Sequence, residues 1–415
     1  MMRDNLHDIC CDEYEKLCRW YSDRSRQLSL PIYSSYDIRD SGFKVSNVDA
    51  NIYPAGFNNI CPVDKESSIS IFDSYLRKHY GNSVKKILLV TEEHTNNSYY
   101  WENVATIKFL LEESGHQVMV AIPKPITEPI KVVSATGLEI QVHSAYEDLA
   151  AVKEFKPDLI ISNNDFSESN EDWAQQVRAA MNPPRELGWY QRKKSRYFKH
   201  YNQLVNEFSE IIGVDPFLMN IQTEEFAHFD ISSEDSKKLL ATRVDALLAD
   251  VAQKYSARGI TEKPFAFVKN NAGTYGLAVI RVGSGQEVLE WSYKSRKKMK
   301  AAKGGRDVEE VIIQEGIPSV VQSDGASAEP VIYMIGCELA GGFLRTHAEK
   351  GATDSLNSPG AVYKRLCVTD LSVSVKGSPL ENVYGWSARL GLLAIGKEAE
   401  EMGVEYKSYI RTGCG

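Results

Sequence analysis

A lysine stands at the end of an apolar segment, directly before a turn that contains two glycines. The apolar segment is Phe265-Ala-Phe-Val-Lys269, the turn runs from residue 270 to 276, and a second apolar segment follows. Glycine permits positive φ and close backbone approach, so Gly273 and Gly276 could let the N–H groups of the loop face phosphate oxygens, with Lys269 as a mobile positive charge. The pattern predicts a β-hairpin that covers a nucleoside triphosphate. A plain two-glycine hairpin is the alternative, because both the Walker A loop and the dinucleotide fingerprint lead into a helix.

The composition favours a folded protein of two or three domains. The chain has 415 residues, is 43% hydrophobic, and carries a formal charge of -8 with a pI near 5.6. This charge argues against nucleic acid or an anionic membrane as a partner, and the basic run 294–300 is interpreted as a solvated helix face. No apolar stretch approaches about 18 residues, and the first residues lack the apolar segment of a signal peptide. We expect a cytoplasmic protein.

The cysteines form an odd, scattered set without a C-x-x-C pair. This spacing predicts reduced thiols, with neither a zinc site nor a disulfide framework. The seven cysteines are Cys10, Cys11, Cys18, Cys61, Cys337, Cys367 and Cys414.

The first half of the chain contains the pattern of a parallel sheet. An amphipathic helix is predicted over 4–29, followed by a polar, loop-rich segment to residue 59. An apolar strand at 85–91, a helix to about Ser114 and a strand at 117–122 form a β-α-β unit, and a second helix and strand end at Ser162. The polar residues after these strands, 92–95 and 163–165, would meet at one edge of the sheet, although each could simply form a turn.

The second half follows the break Asn182-Pro-Pro184, which predicts a domain boundary. Helices are expected at 189–212, 233–255, near 285–300 and at 386–401. Within 311–321 a strand is expected that stops at an elbow, Glu315-Gly-Ile-Pro318, preceded by Gln314. Further strands are expected at 331–336 and 342–345. The predicted fold class is α/β, with an α+β arrangement in this half.

The order of these motifs resembles that of the ATP-grasp ligases. The segment Asn182-Pro-Pro-Arg185 with Lys193-Lys194, the Lys269 hairpin and Ile313-Gln-Glu-Gly-Ile-Pro318 are similar to the phosphate lysines, lid and adenine hinge of glutathione-synthetase-like members. Over roughly residues 30–360 the chain resembles the ATP-grasp-type glutamate-cysteine ligases of some proteobacteria and cyanobacteria. The motifs that carry this closer resemblance are Asp37-Ile-Arg-Asp-Ser-Gly-Phe-Lys-Val, Val48-Asp-Ala-Asn-Ile-Tyr-Pro-Ala-Gly-Phe-Asn-Asn59, Gly341-Gly-Phe-Leu-Arg-Thr-His347 and Leu356-Asn-Ser-Pro-Gly360.

The resemblance implies a parallel-sheet pre-ATP-grasp domain over 1–182 and an ATP-grasp domain over 183–415. Within the second domain it implies a helical part at 183–260, a lid hairpin at 261–310 and a sheet at 311–415. A homo-oligomer is compatible with this organisation.

The implied reaction is the ATP- and Mg²⁺-dependent joining of L-glutamate to L-cysteine through a glutamyl phosphate, the first step of glutathione synthesis. Two anions must approach each other, so cations have to offset their repulsion. Lys269 and Arg345 are the catalytic candidates implied by the resemblance. The implied ATP-binding residues are Lys193, Lys194, Lys269, Gly273, Gly276, Gln314 and Glu315.

The metal ligands are less apparent, because the chain ends soon after Gly403 without the usual late Glu-x-Asn strand of the superfamily. The candidates are Asp354, Asn357 and Glu329, with Glu338 in reserve. Asp354 and Asn357 could instead form turns that contact the substrate carboxylate.

Substrate recognition is expected in the segment 37–59. Arg39 could hold an α-carboxylate in bidentate fashion, while Asp37 or Asp49 could pair with an α-ammonium. The alternative is that Arg39 pairs with Asp40 or Asp37 at the surface. The further substrate-binding candidates are Asn51, Asn58, Asn59, Asn357 and Arg365.

Two other functions share these motifs. Another ATP-grasp ligase, such as a glutathione synthetase or a peptide ligase, would use the same nucleotide machinery with a different acyl donor. A nucleotide-binding protein without turnover is the second alternative, which the missing late metal strand favours.

Overall fold

The computed structural model describes residues 2–93, 96–273, 278–300, 308–367, 372–375 and 378–414. His94, Thr95 and the turn glycine Gly276, all named above, lie outside the described residues.

The described helices and strands alternate through much of the chain. The helices are α1 (Met2–Asp12), α2 (Tyr14–Arg26), α3 (Pro62–Tyr80), α4 (Ser98–Glu113), α5 (Ala150–Phe155), α6 (Glu171–Ala174), α7 (Lys194–Ile212), α8 (Glu234–Ser256), α9 (Gly285–Leu289), α10 (Tyr293–Lys300) and α11 (Val383–Glu401). The strands are β1 (Tyr33–Asp40), β2 (Val45–Asn51), β3 (Lys86–Val90), β4 (Gln117–Ile122), β5 (Ile130–Val133), β6 (Glu139–Ser144), β7 (Leu159–Ser162), β8 (Ala180–Asn182), β9 (Thr223–Phe226), β10 (Ala266–Asn270), β11 (Val279–Val282), β12 (Val311–Glu315), β13 (Gln322–Ser323), β14 (Ala326–Ile335), β15 (Glu338–Thr346), β16 (Val362–Leu366), β17 (Ser372–Val375) and β18 (Ser378–Glu381).

A largely parallel sheet occupies the first half of the chain. Its order is β5-β6-β4-β3-β7-β8, and β3 pairs in parallel with both β4 and β7. The short apolar runs are buried: Leu88, Leu89 and Val90 are fully covered, Leu88 and Val90 in one apolar cluster and Leu89 in another. The β-α-β units expected from the hydrophobic pattern are therefore present. The polar residues that follow their strands lie at one edge of the sheet.

An antiparallel sheet joins the beginning of the chain to its second half. The order is β16-β15-β14-β1-β2, with β13 also paired to β14. The segment before residue 59 was expected to be loop-rich, and this expectation is wrong, because β1 and β2 form an antiparallel pair within this sheet. Their polar side chains are buried against other parts of the protein, so the strands lack the alternation of polar and apolar residues that identifies a half-exposed strand. The sheet also crosses the boundary expected at residue 182, since β1 pairs with β14.

A smaller sheet carries the glycine hairpin. Its order is β11-β10-β12-β9, and in β10 Lys269 is opposite Val279 on one side and Ile312 on the other. Helix α8 packs on this sheet through a buried cluster that includes Leu240 and Val244. The strand that begins at Val311 ends at Glu315, at the predicted elbow, and this prediction is confirmed.

The prediction of reduced thiols is wrong for one pair. The structure joins Cys337, in the turn between β14 and β15, to Cys414 near the end of the chain, with a Cα–Cα distance of 5.5 Å. The separation of 77 residues between them is why spacing alone gave no sign of the pair. The other five cysteines have free thiols.

None of the helices among the described residues combines the length and the apolar character needed to span a lipid bilayer.

Candidate active site

Lys269 lies at the end of β10, where the two antiparallel sheets face each other. Its ammonium donates hydrogen bonds to Oε1 of Gln314, at 2.6 Å, and to the carbonyl oxygen of Val48, at 3.1 Å. The side chain is only 8% exposed. Burial lowers the pKa of Lys269 to about 8, although the nearby Asp49 carboxylate acts in the opposite direction. Lys269 is therefore a buried cation whose charge can change near neutral pH.

Lys194 reaches the same place from the first turn of α7. Its ammonium donates to a carboxylate oxygen of Asp49 on β2. Burial would raise the pKa of Asp49, but the positive charges of Lys194 and Lys269 outweigh it and hold that pKa below its usual range. Asp49 is thus an ionised carboxylate between two lysines.

Asn271 connects the hairpin to α7. Its carbonyl oxygen accepts from the backbone N–H of Lys194 at 2.8 Å, and its Oδ1 accepts from the backbone N–H of Ser195 at 2.9 Å. These bonds satisfy N–H groups at the helix start, which have no partner within the helix itself. The position of Lys194 therefore depends on the turn that follows Lys269.

Lys193 has a different partner from Lys194. Its ammonium pairs with the carboxylate of Glu310, and one third of each side chain is exposed. Glu310 also accepts from Nδ2 of Asn271 at 3.3 Å, so Lys193 lies beside the hairpin turn, whereas Lys194 contacts Asp49.

The elbow at the end of β12 has two side chains with different surroundings. Gln314 accepts from Lys269 and donates from Nε2 to the hydroxyl of Thr223 at 3.2 Å. The Glu315 carboxylate is buried and accepts from the Lys44 ammonium at 2.8 and 2.7 Å. Burial outweighs this attraction and lowers the pKa of Lys44. Lys44 therefore ties the turn after β1 to the elbow.

Two arginines and two carboxylates form a buried network on the antiparallel sheet. Arg345 donates to both Asp37 and Glu329 at 2.7 Å, and Nε of Arg39 contacts Glu329 at 2.5 Å. Burial would lower the pKa of Arg345, but the two carboxylates raise it above its usual range. Arg39 also donates to the carbonyl oxygens of Ala352, at 3.1 Å, and Asp354, at 2.7 Å. Arg39 is buried and does not form the surface pair with Asp40 or Asp37 that was its alternative.

Two cavities meet beside these groups. The smaller one lies between the hairpin sheet and the large antiparallel sheet, and its lining includes Lys194, Lys269 and Gln314. The larger one has a volume of about 890 Å³ and extends toward the start of α4. Ligand sites commonly have volumes in this range. Four residues line both cavities: Asp37, Asp49, Gly273 and Asn357.

Most of the remaining candidates line one of the two cavities. The smaller cavity is also lined by Arg39, Glu315 and Glu329. The larger cavity is also lined by Asn51, Asn58, Asn59 and Arg345.

The candidates that line neither cavity include Lys193, Asp354, Arg365 and the reserve candidate Glu338. Arg365 lies on the edge strand β16 with an exposed side chain. The Asp354 carboxylate accepts from the backbone N–H of Gly351 at 2.9 Å, as a turn-forming residue does.

Several lining residues were not identified from the sequence. Lys65 in α3, Glu102 in α4 and Thr136 before β6 all line the larger cavity. Charged residues of this type are common on solvated helix faces, and nothing in their spacing distinguished Lys65 or Glu102 from such residues.

The sequence matches the model of one protein family, GshA, glutamate-cysteine ligase, over residues 7–399. The chain belongs to the GshA family of glutamate-cysteine ligases. The resemblance found in the sequence is therefore confirmed, and with it the activity of an ATP-dependent ligase that joins glutamate to cysteine in glutathione biosynthesis. No curated protein matches the chain.

One solved structure agrees with membership of the GshA family. A crystal structure of a protein assigned as a gamma-glutamylcysteine synthetase, from Methylobacillus flagellatus KT, is 32% identical with a TM-score of 0.85, and the match covers 96% of each chain. D-cycloserine synthetase DcsG is 13% identical with a TM-score of 0.36, covering 77% of this chain and 82% of that one. D-alanyl-alanine synthetase A from Vibrio cholerae O1 biovar eltor str. N16961 is 11% identical with a TM-score of 0.30, covering 78% and 83%. The last two similarities are too remote to carry an argument.

Proposed function

We propose that ATP binds at the smaller cavity with its phosphates beside Lys194 and Lys269, that the larger cavity binds glutamate and cysteine, and that the chemistry takes place where the two meet. The observation that supports this assignment is the set of four residues that line both cavities. A phosphoryl group must pass from one substrate to the other, so the two binding sites have to share a boundary.

The proposed reaction has two steps. The γ-carboxylate of glutamate attacks the γ-phosphorus of ATP and ADP leaves, which forms a glutamyl phosphate. The uncharged amine of cysteine then attacks the acyl carbon, and phosphate leaves as the amide bond forms.

Cations of this chain reduce the repulsion between carboxylate and triphosphate in the first step. Lys194 and Lys269 lie on the ATP side, and Arg345 lies on the amino-acid side. The Arg345 side chain lines the larger cavity, although its guanidinium also contacts Asp37 and Glu329. We assign Lys194 and Lys269 to the phosphates and Arg345 to the transferring group.

The metal is proposed to be Mg²⁺, held at the junction of the cavities by Asn357 and Asp49. Both offer oxygen atoms, which Mg²⁺ prefers, and Asp49 is ionised and only half-buried. When bound, Mg²⁺ would offset the negative charge of the phosphates. Glu329 is less suited to this role, because each of its carboxylate oxygens already contacts an arginine. The Asp354 carboxylate is engaged with its own turn.

Arg39 is proposed to position the segment that carries Asn357 rather than to hold substrate. Its guanidinium binds the backbone of residues 352 and 354, just before Asn357. The wall of the amino-acid cavity is then formed by Asn51, Asn58 and Asn59, whose neutral amides can hydrogen-bond to either substrate.

The domain organisation is a further proposal. We propose a division near residue 182 into a substrate-side part and an ATP-grasp part with helical, lid and sheet regions, with β1 and β2 assigned to the second part. A cytoplasmic location and a homo-oligomer are also proposed. Gel filtration with light scattering tests the oligomeric state.

The activity test is a product assay with each substrate omitted in turn. Purified protein should release ADP and form γ-glutamylcysteine only when ATP, Mg²⁺, glutamate and cysteine are all present. ADP release that requires γ-glutamylcysteine and glycine, in place of glutamate and cysteine, would instead identify a glutathione synthetase. ATP binding without turnover would identify a nucleotide sensor. The Lys269→Met variant should lose product formation, whereas Lys397→Met, on the exposed side of α11, should not.

A further inference from the structure

We infer that Lys65 and Glu102 form the subsite for the α-carboxylate and α-ammonium of glutamate. This inference rests on the proposed function, and it assigns two residues that neither the motifs nor the family resemblance identified. The two side chains come from different helices, α3 and α4, and both line the larger cavity.

Their place in the larger cavity separates them from the proposed ATP site. Asp37, Asp49, Gly273 and Asn357 line both cavities, whereas Lys65 and Glu102 line the larger one alone. Glutamate presents its γ-carboxylate to ATP, so its α-carbon lies on the far side of its side chain from the phosphates. A subsite for that end of the molecule belongs in the part of the cavity that ATP does not reach.

The two charges are held by neutral partners rather than by each other. The Lys65 ammonium donates to the carbonyl oxygen of Asn58 at 2.8 Å, and Oε2 of Glu102 accepts from the backbone N–H and the hydroxyl of Thr136 at 3.0 and 2.7 Å. An ammonium has three donors, so Lys65 can bind Asn58 and a carboxylate together. Among the described residues neither charge takes part in a close ion pair, so both are positioned in advance without being neutralised.

The environment keeps Glu102 charged in the absence of substrate. Burial raises the pKa of Glu102, but the hydrogen bonds from Ser134 and Thr136 outweigh it and hold the pKa below the usual range. For Lys65, burial lowers the pKa and the charge of Glu102 opposes this change. A carboxylate ligand near Lys65 would further favour its protonated form.

The pairing of charges fits glutamate better than cysteine. The α-carbon of glutamate carries both a carboxylate and an ammonium throughout the reaction, because the γ-carboxylate is the reacting group. Cysteine must lose its ammonium proton before its amine can attack, so it offers a carboxylate without a permanent positive charge. One fixed cation and one fixed anion therefore match the α-substituents of glutamate.

The test is steady-state kinetics with the full-length protein, ATP, Mg²⁺ and each amino acid varied. Lys65→Met and Glu102→Gln should each raise the KM for glutamate about 10- to 100-fold, the range expected when one hydrogen bond to a charged group is lost. The KM for ATP and for cysteine should change less than about threefold. Lys108→Met and Glu112→Gln remove an exposed ion pair on the same helix, α4, and should leave all three KM values unchanged.

Substrate analogues show which residue binds which group. Glutarate lacks the α-ammonium, and 4-aminobutyrate lacks the α-carboxylate. The wild type should use both poorly. Glu102→Gln should reduce the ratio of kcat/KM for glutamate to kcat/KM for glutarate about tenfold or more. Lys65→Met should reduce the corresponding ratio of glutamate to 4-aminobutyrate to a similar extent. Lys65→Gln, which keeps a donor for the Asn58 carbonyl oxygen, replaces Lys65→Met if that variant does not fold.

Several results would overturn the assignment. If the wild type forms γ-glutamylcysteine but the variants keep the wild-type KM for glutamate, the subsite lies elsewhere. A rise in the KM for cysteine alone would show that these residues bind cysteine instead of glutamate. If the wild type itself forms no γ-glutamylcysteine, the proposed function fails first, and ATP binding by the variants shows whether the fold is intact.

Discussion

The ammonium of Lys194 donates a hydrogen bond to the carboxylate of Asp49, although the two residues are 145 positions apart in the chain. This contact brings the first turn of α7 onto β2, beside the hairpin that carries Lys269. Two cations and one carboxylate thereby converge where the cavities meet.

The affinity for ATP should fall as the pH rises through about 8. The pKa of Lys269 is lowered to about 8 by burial, so below that pH the side chain carries its charge and above it the charge is lost. The dissociation constant of ATP, measured by calorimetry from pH 6.5 to 9.5 without amino acids, should therefore increase on the alkaline side.

The Lys269→Arg variant is the control for this pH dependence. Arginine stays protonated over the whole range, so any ATP affinity that the variant retains should be nearly independent of pH. An equally steep alkaline loss in that variant would show that another group is responsible.

Loss of the Glu329 carboxylate should destabilise the protein strongly. Glu329→Gln would leave Arg39 and Arg345 buried with less compensating charge, and removal of one partner from a buried ion pair costs about 3 to 5 kcal/mol. Urea unfolding should show this decrease in the free energy of unfolding.

Asp73→Asn is the matched comparison for the Glu329 variant. Its partner Arg77 is largely exposed, and exposed pairs contribute about 0 to 1 kcal/mol. Similar decreases in the free energy of unfolding for both variants would contradict the buried network that joins Glu329 to Arg39 and Arg345.

Asn271 should matter for ATP binding as well as for stability. Asn271→Ala removes the side-chain bond to the start of α7, so we expect faster amide exchange at residues 194–195 and an ATP affinity lower by about tenfold. Exchange measured by mass spectrometry and ATP binding measured by calorimetry check both effects.

Asn202→Ala provides the control on the same helix. Its side chain bonds both backbone groups of Ile221, away from the hairpin. This variant should lose stability while its ATP affinity stays close to that of the wild type. If Asn202→Ala and Asn271→Ala lose ATP affinity equally, the effect of Asn271→Ala is a general consequence of a weakened helix α7.

The sequence predicted best those features that depend on residues close together in the chain. The hairpin at Lys269 and the strands β3, β4 and β7 follow from short patterns that the structure reproduces. The strands β1 and β2 were missed because their polar residues are buried by partners distant in sequence, as Asp37 is by Arg345, 308 positions away. No local pattern reveals such a partner.

Site residues on helices were the hardest to identify. Lys65 and Glu102 have the same residue types as solvated helix positions, and only the folded cavity brings them together. By contrast, Asp37 belongs to a segment dense in Asp, Asn, Arg and Gly, which is unusual for a connector. Asn357 belongs to one of the motifs that carry the family resemblance.

The most direct test of the central proposal is a crystal structure of the protein with a non-hydrolysable ATP analogue, Mg²⁺ and glutamate. The proposal expects the γ-phosphate within hydrogen-bond distance of Lys194 and Lys269, with the glutamate γ-carboxylate facing it beside Asp37, Asp49 and Asn357. A triphosphate bound away from the Lys269 hairpin, or a glutamate whose γ-carboxylate points away from the phosphates, would contradict it.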